Sequence, residues 1–167
     1  SISELYSAVS DGLVDLDNDP CSIQQNGSAA TATQAQCAST GLAANLYNTD
    51  LNSPADQYNI KGGGNPLVSP EESESITIGA VITPESIPGL TLTVDYFDIS
   101  VEDGIGTVSA KTALDKCIST GTAQYCGLIN RMPGTGSLWL SGGYISQQLT
   151  NIGEESTSGV DVIFDYD

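Results

Sequence analysis

The sequence predicts an all-β protein of antiparallel strands, joined by long loops that contain short helices. Three observations carry this. Ile76, Ile78, Ala80 and Ile82 alternate with mostly small or polar residues, as do Leu90, Leu92, Val94 and Tyr96, and later Val160, Val162, Phe164 and Tyr166, where Ile163 is the exception on the polar face. A period of two gives a strand one apolar face. The stretch between the first two runs, TPESIPG at 83–89, is too short and proline-bound to be anything but a turn, which makes them a hairpin. Finally, the composition is 39% hydrophobic and 15% charged with 18 glycines, poor in the Leu, Glu and Lys that build helical domains.

In chain order, residues 1–72 read as a first large loop region, with no convincing strand over 1–61. Ile2, Leu5 and Val9 at helical spacing after Ser1 predict a short helix. The segment 29–39, ATATQAQCAST, predicts another ending before Gly41, with Cys37 on its last turn. Three glycines and two X-Pro pairs over 62–70 predict an irregular extended descent. The hairpin occupies 73–101 with its turn at 83–89. At Phe97 the apolar phase slips to Phe97, Ile99 and Val101, which predicts a bulge near 95–97 or burial of both faces there. Residues 102–136 read as a second loop region, with a helix capped by Ser109 and ended by Gly121, then a turn through TAQYCGLINR. Residues 137–167 return to strand, first over 138–145 with an interruption at Gly142 and Gly143, then over 160–166.

Four cysteines fall as local pairs, Cys21 with Cys37 and Cys117 with Cys126, in a chain with no His and no Cys-x-x-Cys. That pattern favours disulfides over zinc and an oxidising compartment. Three connectivities are open in principle; local pairing is preferred because each pair lies in its own Gly- and Ser-rich segment. A formal charge of −17 with only Lys61, Lys111, Lys116 and Arg131 as cations excludes nucleic acid as a partner.

The absence of His removes Ser-His-Asp and Cys-His catalysis, and Gly62-Gly63-Gly64 lacks the Lys-Ser/Thr of a phosphate loop. No catalytic residue, cofactor or metal ligand is assigned, and the chain is read as a non-enzyme. In DLDNDP, Pro20 stands where a calcium loop needs Gly, so an EF-hand is rejected and a looser calcium site is left open. Tyr125, Arg131, Trp139 and Tyr144 are the candidate ligand contacts, as loop aromatics and a guanidinium. No run reaches the length of a membrane helix, which does not bear on a membrane barrel.

The stretch GNPLVSPEESESITIGAVITPESIPGLTLTVDYFDISVEDGIG resembles the barrel region of TonB-dependent outer-membrane receptors, where Gly-Asn-Pro leads down a strand to a short periplasmic turn and Val-Asp-Tyr-Phe-Asp-Ile climbs back. SISELYS, CISTGTAQYCGLINR and NIGEESTSGVDV resemble further segments of the family in the same order. The resemblance implies part of a large transmembrane β-barrel in the bacterial outer membrane, with the stapled loops extracellular. It also implies NIGEESTSG as strand. The implied partners are membrane lipid, the rest of the barrel, a plug domain, TonB through that plug, and a small-molecule nutrient such as a siderophore, cobalamin, sugar or peptide. The chain is expected to be an internal slice without the plug. The competing reading is a soluble extracellular β-rich binding or structural module, in which the three apolar faces would converge on one another instead of forming one outward band.

Overall fold

The structure is a computed structural model that describes residues 1–166. The chain divides into two compact units, Ser1–Val68 with Thr107–Thr150, and Ser69–Gly106 with Asn151–Asp167.

The first unit holds a four-stranded sheet in the order β1 (Ser10–Asp15), β2 (Gln57–Gly63), β6 (Tyr144–Gln148), β5 (Ile129–Asn130). Around it lie α1 (Ile2–Tyr6), α2 (Gln34–Ser39), a 3-10 turn at Ala44–Leu46, α3 (Ala110–Thr120) and α4 (Ala123–Cys126). Alternation on β2 sends Tyr58 and Ile60 to the inner face, level with Ile145 of β6. Against that face α3 presents Ala110, Ala113, Leu114 and Cys117, an i, i+3, i+4, i+7 stripe. Leu138 and Ile145 are fully buried there, each contributing on the order of 2 kcal/mol by leaving water. A second small core gathers Cys21, Ala32, Cys37, Leu42 and Leu51.

The helices follow their caps. The Ser109 hydroxyl accepts from the Thr112 amide at 3.1 Å to start α3, and Gly121 ends it in the left-handed region at φ 65°. Thr33 caps α2. Both disulfides pair locally, Cys21 with Cys37 and Cys117 with Cys126, at Cα separations of 5.7 and 4.7 Å.

The strands of this unit differ from the sequence reading. Residues 1–61 do contain strand, since β1 and most of β2 lie there. Both are short and carry Asp, Gly, Asn and Lys, so long-range pairing overrides weak local propensity. The β2–β6 pair is parallel, against the expected antiparallel arrangement. The strand expected over 138–145 begins only at Tyr144, because 138–143 is a turn.

The second unit is a three-stranded sheet in the order β3 (Glu72–Ile82), β4 (Leu90–Gly106), β7 (Thr150–Tyr166). β3 and β4 form the expected hairpin across 83–89. β4 runs on to Gly106, past the predicted end at 101, and β7 includes the whole of NIGEESTSG. No bulge interrupts β4 against β3: the register is continuous from Glu72↔Glu102 to Ile82↔Leu92. The phase slip comes instead from Phe97, whose ring covers Gly159 of β7 so closely that a Cβ on that glycine would lie 2.7 Å from it.

That contact fixes which faces are shared. Gly106 lies by Ile152 and Phe97 by Gly159, so β7 runs opposite to β4, and Phe97 and Gly159 share a face. Ile76, Ile78, Ala80 and Ile82 therefore share one face with Leu92, Val94 and Tyr96, and with Val160, Val162, Phe164 and Tyr166. This face is open: Ile78 is 68% exposed and Phe164 72%. No described residue of the second unit is buried.

Candidate ligand-capture site

The candidate contacts of the first unit separate into three environments. Tyr125 sits on α4 beside the Cys117–Cys126 bridge and packs against the main core.

Arg131 is internal. Its side chain is 2% exposed and that of Asp19 0%. The guanidinium donates to both Asp19 oxygens, from Nη1 at 2.6 Å and from Nη2 at 3.1 Å, a bidentate fork. Nε donates to the Thr40 hydroxyl at 2.8 Å and Nη1 to the Gly136 carbonyl at 2.9 Å. The Asp19 carboxylate also accepts from the Cys21 amide at 2.9 Å. Arg131 therefore ties the Cys21–Cys37 loop to the segment that follows β5, and offers nothing to a ligand. With Asp19 so committed, DLDNDP is not a free carboxylate set. Among the described residues no group of three or more His, Cys, Asp or Glu side chains gathers around a metal position.

Trp139 and Tyr144 do come together, on the outer face of the sheet. They line a cleft of about 430 Å³ with Asp11, Asn59, Lys61 and Ser141. β1 and β2 place Asp11 directly across from Lys61, and β2 carries Asn59 on the same side. The loop 138–143 forms the wall. Leu138 anchors it in the core, and its carbonyl accepts from the Asn59 amide at 3.0 Å. Asn59 Nδ2 donates to the carbonyls of Leu140 and Gly143 at 3.1 and 2.9 Å. Gly143 has no side chain to spare here, since a Cβ would collide with the Ser137 carbonyl. Trp139 Nε1 donates to the Leu51 carbonyl at 3.1 Å, which locks the indole. The Lys61 ammonium lies 4.4 Å from the centre of the Tyr144 ring, a cation–π contact. Behind the sheet, Tyr58 is fully buried; burial pushes its phenol pKa above the ordinary 10.0, with the Ser53 amide donating to its oxygen at 3.3 Å.

Of the four candidates the structure brings Trp139 and Tyr144 into one cleft, and it adds Asp11, Asn59 and Lys61, which the sequence analysis did not single out. The signal was present in QYNIKGG, where Tyr58 and Ile60 alternate with Asn59 and Lys61, but its neighbours Gly62 and Gly63 mask it as loop.

The sequence model of the family described as TonB dependent receptor-like, beta-barrel, matches residues 24–167. The chain belongs to the TonB-dependent receptor family. Neither the curated proteins nor the solved structures include a match. TonB-dependent receptors are transporters with a β-barrel in the bacterial outer membrane. In a TonB-dependent receptor an outward apolar band on alternate strand positions is the lipid-facing surface. The three apolar faces of the second unit lie on one side of one sheet and do not converge into a core.

Proposed function

We propose that the chain forms part of an outer-membrane receptor that imports a scarce nutrient, with the stapled first unit exposed outside the cell and its cleft in contact with the nutrient. The second unit then contributes three strands to the barrel wall, and 83–89 is a periplasmic turn. The observation that carries this reading is the shared, exposed apolar face of β3, β4 and β7 in a chain that matches the family over 24–167. The plug and TonB belong to the same reading: energy for import reaches the barrel through them. The soluble-module reading is disfavoured, because it needs those faces to bury one another.

Within the first unit, Trp139 and Tyr144 with Lys61 replace the four-residue candidate set, since Arg131 is bound to Asp19 and Tyr125 packs inward. The test is nutrient uptake by cells that produce the receptor. Trp139→Ala combined with Tyr144→Ala is expected to raise the half-saturating nutrient concentration while surface level stays constant. Unchanged uptake kinetics in that variant would remove the cleft from capture.

A further inference from the structure

The indole of Trp139 forms one wall of the cleft, and what holds it lies outside the cleft. Its main chain is fixed locally, because the Ser137 hydroxyl accepts from the amides of Trp139 and Leu140 at 3.1 and 2.9 Å. The ring is fixed elsewhere. An indole has one polar atom, a donor, and Trp139 Nε1 commits it to the Leu51 carbonyl at 3.1 Å. The ring keeps its place only as well as Leu51 keeps its own.

Leu51 belongs to the second small core, packed with Cys21 and Cys37. Its buried amide donates to the Ser22 hydroxyl at 2.9 Å. Ser22 is itself fully buried and follows Cys21 directly in the stapled loop. Its hydroxyl donates to the Ile23 carbonyl at 2.8 Å, and its amide to the Asp19 carbonyl at 3.0 Å. Further bonds lace the two segments together. The Asn48 amide donates to the Cys21 carbonyl and the Ile23 amide to the Thr49 carbonyl, both at 3.0 Å. Asn52 Nδ2 donates to the Ile23 carbonyl at 2.7 Å. Of all these, the bond to Ser22 acts on the residue whose carbonyl receives the indole.

From this chain of contacts we infer that Ser22 is a positioning residue of the capture cleft, holding the Trp139 indole in place through Leu51. The inference rests on the proposed capture role of the cleft and adds to it a residue that never touches the nutrient. It gives the Cys21–Cys37 loop a second task besides stability, as the anchor of a binding side chain. Without the Ser22 hydroxyl the Leu51 amide is buried with no acceptor, so the peptide shifts to find one and its carbonyl leaves the indole. A loosened indole must be ordered each time a ligand binds, which weakens binding about two- to tenfold. Steps after capture do not use the indole, so the maximal rate of uptake stays constant.

The experiment compares the intact receptor with Ser22→Ala, Trp139→Phe and the two combined. Trp139 is the single tryptophan of the chain, so 5-fluorotryptophan places one fluorine label here, identified as the resonance lost in Trp139→Phe. Ser22→Ala is expected to shift and broaden that resonance. Cells producing each receptor are then offered ferric citrate, cyanocobalamin, maltotriose and trialanine, and the probe taken up best by the parent is followed. Each single variant is expected to raise its half-saturating concentration several-fold, with the maximal rate per surface receptor unchanged. The combined variant is expected to be no worse than Trp139→Phe alone, because Ser22 acts only through the indole. Effects that multiply, a lowered maximal rate or an unmoved fluorine resonance would overturn the inference. A Ser22→Ala receptor that never reaches the surface would make Ser22 a folding residue and overturn it too. Trp139→Ala combined with Tyr144→Ala separates the two claims. A raised half-saturating concentration there, with none in Ser22→Ala, removes Ser22 and keeps the cleft. Unchanged kinetics there, or receptor-dependent uptake of none of the four probes, removes both.

Discussion

The two units of this chain solve the folding problem in opposite ways. The first unit encloses Tyr58, Leu138 and Ile145 in a core, staples its loops with two disulfides and buries an ion pair. The second has a continuous β3–β4 ladder and no buried residue among those described. A sheet with both faces open has hydrogen-bonded backbones but almost no hydrophobic stabilisation of its own. Its apolar face and edges require neighbours: lipid and further barrel strands under the family reading. The lesson is that one chain can contain a part that carries its own stability and a part that borrows it. The same amino-acid change therefore has different consequences in each.

The comparison is tested most severely at Arg131. Arg131→Met leaves the Asp19 carboxylate buried without its partner, and the first unit is expected to lose about 4 kcal/mol. Hydrogen exchange on the intact receptor should show faster exchange in β2 and β6, with β3 and β4 unaffected. Restoring neutrality with Asp19→Asn in the same chain should recover part of the loss. Removing the Cys21–Cys37 bridge by a double change to Ser is expected to cost about 3 kcal/mol, again confined to the first unit by the same measurement.

In the second unit, Val162→Arg on the open face should reduce membrane insertion by about 2 kcal/mol or more, read as folded receptor per total receptor in lipid vesicles. Asp161→Arg on the opposite face should cost far less. The smallest effect concerns pH. Because burial raises the Tyr58 pKa above 10.0, the folded first unit binds that proton more tightly than the unfolded chain does. Its contribution is complete below pH 10.0 and falls as pH rises through the folded value. Tyr58→Phe should flatten the alkaline arm of a thermal-stability profile.

Much of this contrast was legible in the sequence. The three alternating runs gave strands and faces because a period of two survives without knowledge of partners. The helix starting at Ser109 and ending at Gly121, and both disulfides, were readable from local signals of capping and spacing. What could not be read was long-range. The short strands Ser10–Asp15 and Gln57–Gly63 exist through each other and Tyr144–Gln148, not through their own propensity. Arg131 looked like a loop cation because its partner Asp19 lies in the other stapled loop. Trp139 and Tyr144 were found as residues, but Lys61, Asn59 and Asp11 join them only once β1, β2 and β6 pair.

Under the barrel reading the even-numbered positions of the second unit face lipid. Spin labels at positions 160, 161, 162 and 163, one at a time, in receptor reconstituted into lipid vesicles, measure this directly. The account predicts that labels at 160 and 162 are relaxed by oxygen dissolved in lipid and that a label at 161 is relaxed by a water-soluble metal chelate. Water-soluble relaxation at 160 and 162, or equal behaviour at all four positions, would contradict it.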